Sequence, residues 1–345
     1  MVKCTNLWAM QSPAALIGNA PAFLDAIERA SEAAALNRPV LVIGERGTGK
    51  ELIAERLHRL SPRWSGPLIT LNCAALPENL IDAELFGYET GAFTGATRGR
   101  PGRFEDADGG TLFLDEIATL SAAAQERLLR VVEYGELTRL GSNRAVRVDV
   151  RVVGATNEDL PSLVGRGRFR ADLLDRLAFE VVTLPPLRAR ADDIEVLAMH
   201  FGRRMAVELG WSGFAGFARP ALATLQAHDW PGNVRELKNV VERALYRWND
   251  AAAPVGVIIF DPFDSPWRPA TVASSVAAID PHTEMAASTG TTATVADLRA
   301  AVTAYERDIL AAALARCRHN QRATAAALAL SYDQLRHALK RHDML

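Results

Sequence analysis

The chain has 345 residues, 49% apolar and 23% charged, with a formal net charge of −2; this ordinary globular composition excludes a disordered or fibrous chain and allows about two or three folding units. Cys4, Cys73 and Cys317 have no paired spacing and build neither a disulfide framework nor a zinc site,. The N-terminus lacks a signal pattern, and no stretch approaches the roughly 18 apolar residues of a membrane span, so a cytoplasmic protein without membrane insertion is expected,.

In chain order, residues 1–15 are a short extension, and from 16 to about 185 short β-branched apolar runs alternate with helix-patterned segments. Strands are predicted at 39–43, 68–72, 111–114, 150–155 and 179–184. Their near-continuous apolar character suits a parallel sheet with helices on both faces, an α/β core over 16–186. Over 187–249 strands give way to helical periodicity, as at 194–208 and 234–248, predicting a small helical subdomain. Residues 250–294, rich in Ala, Ser, Thr and Pro, read as a linker with an apolar island at 257–260 expected to dock locally,. The last segment, 295–345, is helical again. Between Arg316 and Arg341 it carries six Lys/Arg against one acid, a basic end on a near-neutral chain,.

Gly44-Glu45-Arg46-Gly47-Thr48-Gly49-Lys50 follows a predicted strand and precedes a helical run. Glycines there let successive N–H groups curl around phosphates at a helix N-terminus, with Lys50 pairing the β- and γ-phosphates of ATP. Glu51 stands where most such loops place a Ser or Thr hydroxyl on magnesium, which shifts Mg2+ onto Asp115 and water,. Leu112-Phe113-Leu114-Asp115-Glu116 is an apolar strand ending in two acids: Asp115 for Mg2+, Glu116 as general base toward water,. Ala107, Asp108, Gly109, Gly110 and Thr111, leading into this strand, are assigned to the nucleotide site with it.

Gly91-Ala92-Phe93-Thr94-Gly95-Ala96 combines small residues with one apolar tip, a pliable projection whose exposed Phe wants a partner,. Together with Glu84-Leu85-Phe86-Gly87 it resembles the GAFTGA loop of sigma-54 activators, a branch of the AAA+ ATPases, and the similarity extends over 16–248. The resemblance implies that this loop contacts sigma-54 RNA polymerase. It implies that Asn72 is a switch asparagine sensing Glu116, and Thr156-Asn157 a sensor pair. Arg170 and Arg176 would be fingers completing a neighbour's site in a hexameric ring, and Arg235, within Trp230-Pro231-Gly232-Asn233-Val234-Arg235-Glu236-Leu237, the sensor arginine of a lid.

Helices are predicted at 305–318 and 321–328, then a turn at Ala329-Leu330 and a third helix from Ser331, where Ser331 and Gln334 make a capping box,. This resembles the Fis-type helix-turn-helix that ends sigma-54 activators. It implies that Tyr332, Asp333, Gln334, Arg336, His337 and Lys340 enter the major groove of upstream activating DNA. Arg318, Arg322 and Arg341 would hold phosphates, with Gln321 and Ser331 alongside. Ile258-Ile259-Phe260-Asp261-Pro262-Phe263, Asn320-Gln321-Arg322-Ala323 and Trp64 in Ser61-Pro62-Arg63-Trp64-Ser65-Gly66-Pro67 resemble the phage shock branch of the family. With only about 15 residues before the ATPase similarity, too few for a domain, control by a separate molecule or through expression level is expected. The branch implies that Trp64 meets a phage shock protein A type inhibitor. The alternative is a DNA-binding repressor with an ATPase shell, against which the intact loop at Gly91 to Ala96 argues; the helix-turn-helix argues against a general AAA+ remodeller.

Overall fold

The computed structural model describes residues 16–93, 96–263, 267, 298–317, 320–328, 330–342 and 344. They divide into two compact units, Met1–Arg268 and Pro269–Leu345. Residues 1–15 and most of the expected linker lie outside the described residues.

The first unit holds strands β1 (Val40–Ile43), β2 (Leu68–Asn72), β3 (Thr111–Asp115), β4 (Glu136–Thr138), β5 (Ala145–Arg147), β6 (Arg151–Thr156) and β7 (Glu180–Thr183). Five of them, in the order β2-β3-β6-β1-β7, form one sheet in which every pairing is parallel. These are the five predicted strands. The antiparallel hairpin β4–β5 was not predicted.

Helices α1 (Pro21–Ala34), α2 (Lys50–Arg59), α3 (Glu78–Phe86), α4 (Arg103–Asp106), α5 (Ala122–Tyr134), α6 (Leu160–Gly165) and α7 (Ala171–Leu177) flank this sheet. Because successive strand residues point to opposite faces, the apolar runs feed two cores. Leu41, Leu112, Leu114 and Val152 pack with Phe86, Leu128 and Leu173 on one face; Val40, Val42, Phe113 and Val153 pack with Phe23, Ile53 and Leu57 on the other. Local chemistry sets the helix limits. The left-handed Gly49 (φ 102°) turns the chain into α2, Ser121 Oγ caps α5 by accepting from Ala124 N at 3.1 Å, and the left-handed Gly135 ends it,.

A helical lid follows: α8 (Asp192–Glu208), α9 (Arg219–Ala227) and α10 (Asn233–Trp248), packed around the fully buried Trp230. The chain continues on the lid past residue 249. Val255 is buried and pairs with Phe217, and the Phe260 ring stacks on His228 at 4.2 Å. The start of the compositional linker is therefore lid structure, because its few apolar residues find partners there. The second unit is a three-helix cluster, α11 (Leu298–Arg316), α12 (Gln321–Ala327) and α13 (Tyr332–Arg341), around Leu310, Leu314, Ala325, Leu335 and Leu339. No helix among the described residues is long and apolar enough to cross a membrane.

Trp230 fills the lid core and donates Nε1–H to Leu225 O at 2.9 Å. Trp230→Ala is expected to destabilise the lid by about 3–5 kcal/mol. Denaturant unfolding followed by far-UV circular dichroism checks this; a loss under about 1 kcal/mol would remove Trp230 from the lid's core.

Candidate functional site

The sheet order brings the predicted acids and loops to one edge. At the carboxyl ends of the strands, Asn72 ends β2, Asp115-Glu116 end β3, Thr156-Asn157 end β6, the phosphate loop follows β1, and the lid connection follows β7. This is where α/β sheets bind ligands. Lys50 is buried, and its Nζ donates to Gly44 O at 2.9 Å. Burial pushes the Lys50 ammonium below its ordinary pKa; Glu116 and Asp115 oppose that shift, and Arg235 and Arg46 add to it. Lys50, both acids and Arg235 therefore share one electrostatic site. Glu116 stands in the left-handed region (φ 53°), a strained posture for a non-glycine residue of the kind that clusters at functional sites,.

The asparagines divide differently from expectation. Asn72 Nδ2 donates to Asp115 at 3.2 Å, and its Oδ1 accepts from Ala74 N. Asn157, with its amide turned to satisfy both groups, donates to both Glu116 oxygens at 2.6 and 3.1 Å,. In this structure Asn157, not Asn72, holds Glu116. Thr156 is buried, its Oγ1 accepting from Glu158 N.

Two groups of residues assigned to the nucleotide lie elsewhere. Ala107, Asp108, Gly109, Gly110 and Thr111 sit at the amino end of β3, a five-residue strand of about 16 Å away from Asp115,. There Gly110 is required because a Cβ would stand 2.0 Å from Pro67 O, and Thr111 Oγ1 bonds His58 Nδ1. Leu112, Phe113 and Leu114 are core. Within the phosphate loop, the Glu45 carboxylate faces the lid: it accepts from Arg188 Nη1 and Nη2 at 2.9 and 2.5 Å and from Asn233 Nδ2 at 3.1 Å. The Arg188 hydrogen bonds foremost, then Asn233, hold its pKa at about 2. A lowered carboxyl pKa means that the contribution is present above the ordinary carboxylate range and is lost only as pH falls toward 2, so this contact is intact at neutral pH. Thr48 is buried with its Oγ1 on Glu45 O, while Arg46 and Glu51 are exposed. Arg188 and Asn233 were missed as site residues, although Asn233 stands in the quoted lid motif.

Arg170 and Arg176 are exposed and paired within the chain, Arg170 with Asp172 at 2.6 Å and Arg176 with Glu133 at 2.7 Å. Trp64 is 67% exposed on a turn braced by Arg63, which donates to Asn37 Oδ1 and Asp149 O at 2.8 and 2.7 Å. Phe93 is 43% exposed and leans on Tyr88, with Gly91 N donating to Ala96 O at 2.8 Å across the loop base; Ala92 is half-buried. Thr94 and Gly95 lie outside the described residues. Arg139 joins this loop to β4–β5 by pairing Glu89 at 3.0 Å and Glu105 at 2.6 Å. The Cys73 thiol, beside Asp115, is pushed up to about 12 by burial, with the Asp115 and Glu116 charges adding to the shift.

In the second unit, Ser331 and Gln334 form the reciprocal capping box, at 3.2 and 2.8 Å. Leu335 and Leu339 are buried, whereas Tyr332, Arg336 and Lys340, an i,i+4 row of α13, are exposed, with Gln334 and His337 also exposed,. Tyr332 Oη donates to Gln321 Oε1 at 3.3 Å, Arg322 is exposed, and Arg341 pairs with Glu306 at 3.6 Å. Arg318 and the Asp333 side chain lie outside the described residues.

A parallel sheet carrying a phosphate loop, paired acids and a helical lid at its carboxyl edge, with a helix-turn-helix unit beyond, defines an AAA+ ATP-binding regulator of transcription. Three family models match: the sigma-54 interaction domain over residues 16–183, the AAA+ ATPase lid domain over 188–252, and the bacterial regulatory protein, Fis family, over 301–342. The Psp operon transcriptional activator of Escherichia coli (strain K12) is 52% identical over 329 residues, 95% of this chain and 98% of that protein. The anaerobic nitric oxide reductase transcription regulator NorR of Escherichia coli (strain SMS-3-5 / SECEC) is 42% identical over 94% of this chain, which spans 62% of that regulator. The crystal structure of NtrX from Brucella abortus in complex with ATP has a TM-score of 0.65 at 30% identity, covering 95% of this chain and 70% of that one. The chain belongs to the sigma-54-dependent transcriptional activators. Membership implies ATPase activity, with sigma-54 RNA polymerase and DNA as partners.

Ser331→Ala removes the acceptor for Gln334 N and is expected to cost the helix-turn-helix unit about 0.5–2 kcal/mol. Thermal unfolding with DNA-binding titration checks this; unchanged melting would show that the cap is dispensable.

Proposed function

We propose that this chain hydrolyses ATP in a hexameric ring and spends that cycle on opening sigma-54 polymerase complexes, at a phage shock operon. The observation that supports it best is the meeting of buried Lys50, Asp115 and Glu116 at one sheet edge beside Arg235. Lys50 binds the triphosphate. Glu116, aimed by Asn157, takes a proton from the attacking water, and Asp115, held by Asn72, would carry the hydrated ion,. No cluster of three metal-ligating side chains occurs among the described residues. A carboxylate, phosphates and water are what Mg2+ accepts, so Asp115 fits an ion arriving with nucleotide, where it would neutralise developing phosphate charge.

The reading continues outward. Arg170 and Arg176, on the surface, complete a neighbour's site. The loop of Gly91, Ala92, Phe93, Thr94, Gly95 and Ala96 presses on sigma-54. The exposed face of α13 reads upstream activating DNA, with Arg322 and Arg341 toward phosphates. The supporting case for the operon is the similarity to the Psp operon activator along nearly its whole length. Trp64, large, exposed and rigidly presented, has the character of a binding hot spot and is the contact for a phage shock protein A type inhibitor,.

Lys50→Ala is expected to abolish nucleotide binding, whereas Glu116→Gln keeps binding and loses turnover at least a hundredfold. Fluorescent-nucleotide titration beside phosphate release separates the two; equal loss of binding would remove the assignment. Trp64→Ala is expected to keep basal ATPase activity and DNA binding while its inhibition curve against the purified inhibitor shifts at least tenfold. Superimposable curves would place the inhibitor elsewhere.

A further inference from the structure

The lid meets the phosphate loop through a small set of contacts that the chemistry above does not use. Glu45 turns away from the phosphate pocket and accepts both Arg188 Nη atoms, at 2.9 and 2.5 Å, and Asn233 Nδ2 at 3.1 Å. Asn233 Nδ2 also donates to Arg46 O at 3.1 Å, and Asn233 Oδ1 accepts from Leu187 N at 2.7 Å. One buried side chain thus joins two residues of the phosphate loop to the hinge that enters the lid.

Asn233 is the first residue of α10 and is left-handed (φ 53°) with no exposed surface. Glycine would adopt that backbone more easily, so the asparagine is kept for its three bonds. Two residues further on is Arg235, whose Cβ lies 3.0 Å from where a Cβ on Gly47 would stand. Arg190 supplies a second bolt, donating to Thr48 O at 3.4 Å from within the buried pair it makes with Asp193.

We infer that Glu45, Arg188 and Asn233 form a clamp that transmits movement of the phosphate loop to α10 and so sets Arg235 over the nucleotide. They are positioning residues for hydrolysis, and this role rests on the ATPase reading proposed above.

The full chain with Arg188→Ala, Glu45→Gln and both together tests the clamp; Arg188 is half exposed, so its loss spares the folding core. Each single variant is expected to lower kcat at least tenfold while affinity for a fluorescent ADP analogue changes less than threefold. The double variant should lose no more than the worse single one, as residues of one network do. Hydrogen exchange gives an arm independent of turnover: ADP should protect both 44–51 and 233–240 in the parent, and only 44–51 in the variants. Asn233→Gly, which keeps the backbone and deletes the bonds, should behave like Arg188→Ala. Multiplicative losses, or ADP protection of 233–240 that survives in the variants, would overturn the clamp. A parent that protects both segments yet hydrolyses nothing would overturn the ATPase reading and leave the clamp standing.

Discussion

The lid crosses the phosphate loop backbone against backbone. A Cβ on Gly47 would stand 2.3 Å from Gly232 O, so no side chain fits between them. That approach brings Asn233 within reach of Glu45 and Arg46, puts Arg235 beside Lys50 in the same electrostatic site, and forces the start of α10 through a left-handed residue. The same device recurs at the opposite edge of the sheet, where Gly66 and Gly110 let the chain before β2 run directly against the chain before β3. Glycines at both rims of the sheet thus serve contact between segments as well as turning.

Charge is distributed in a way that favours exchange of partners. The Arg170–Asp172 and Arg176–Glu133 pairs are solvent-exposed, and pairs of that kind contribute little to stability,. Little is lost when either guanidinium leaves its carboxylate. Arg139 differs: it is mostly covered and satisfies Glu89 and Glu105 together, and its pKa is driven above the ordinary guanidinium value by those hydrogen bonds. Arg139 thus ties the hairpin to the base of the projecting loop.

Much of this architecture was legible in the residues. The five sheet strands were readable because each is a short apolar run with polar ends, and the phosphate loop because strand and helix flank its glycines. The hairpin β4–β5 was not, since three-residue strands such as Ala145–Arg147 bury too little to leave a pattern. Within the compositional linker only the apolar island at 257–260 signals docking, while the neighbouring Ala and Pro hide the pairing of Val255 with Phe217. At the site, motif membership misled where direction mattered. Glu45 lies in the phosphate loop yet faces the lid, and Ala107 to Thr111 adjoin the acidic strand at its wrong end. Spacing along a chain does not reveal which way a carboxylate points, nor that Asn157 rather than Asn72 reaches Glu116.

The turn bearing Trp64 leads directly into β2, and β2 ends at Asn72, hydrogen-bonded to Asp115. Strand β2 is an edge strand, paired only with β3 and covered less fully than the strands within the sheet. It is a stiff rod of about 16 Å with a handle at one end and the acidic pair at the other. Because an extended strand hardly shortens, the turn that carries the indole and the amide of Asn72 are held at a fixed spacing. A displacement of a few tenths of an ångström there is enough to lengthen the 3.2 Å bond to Asp115 past useful range,.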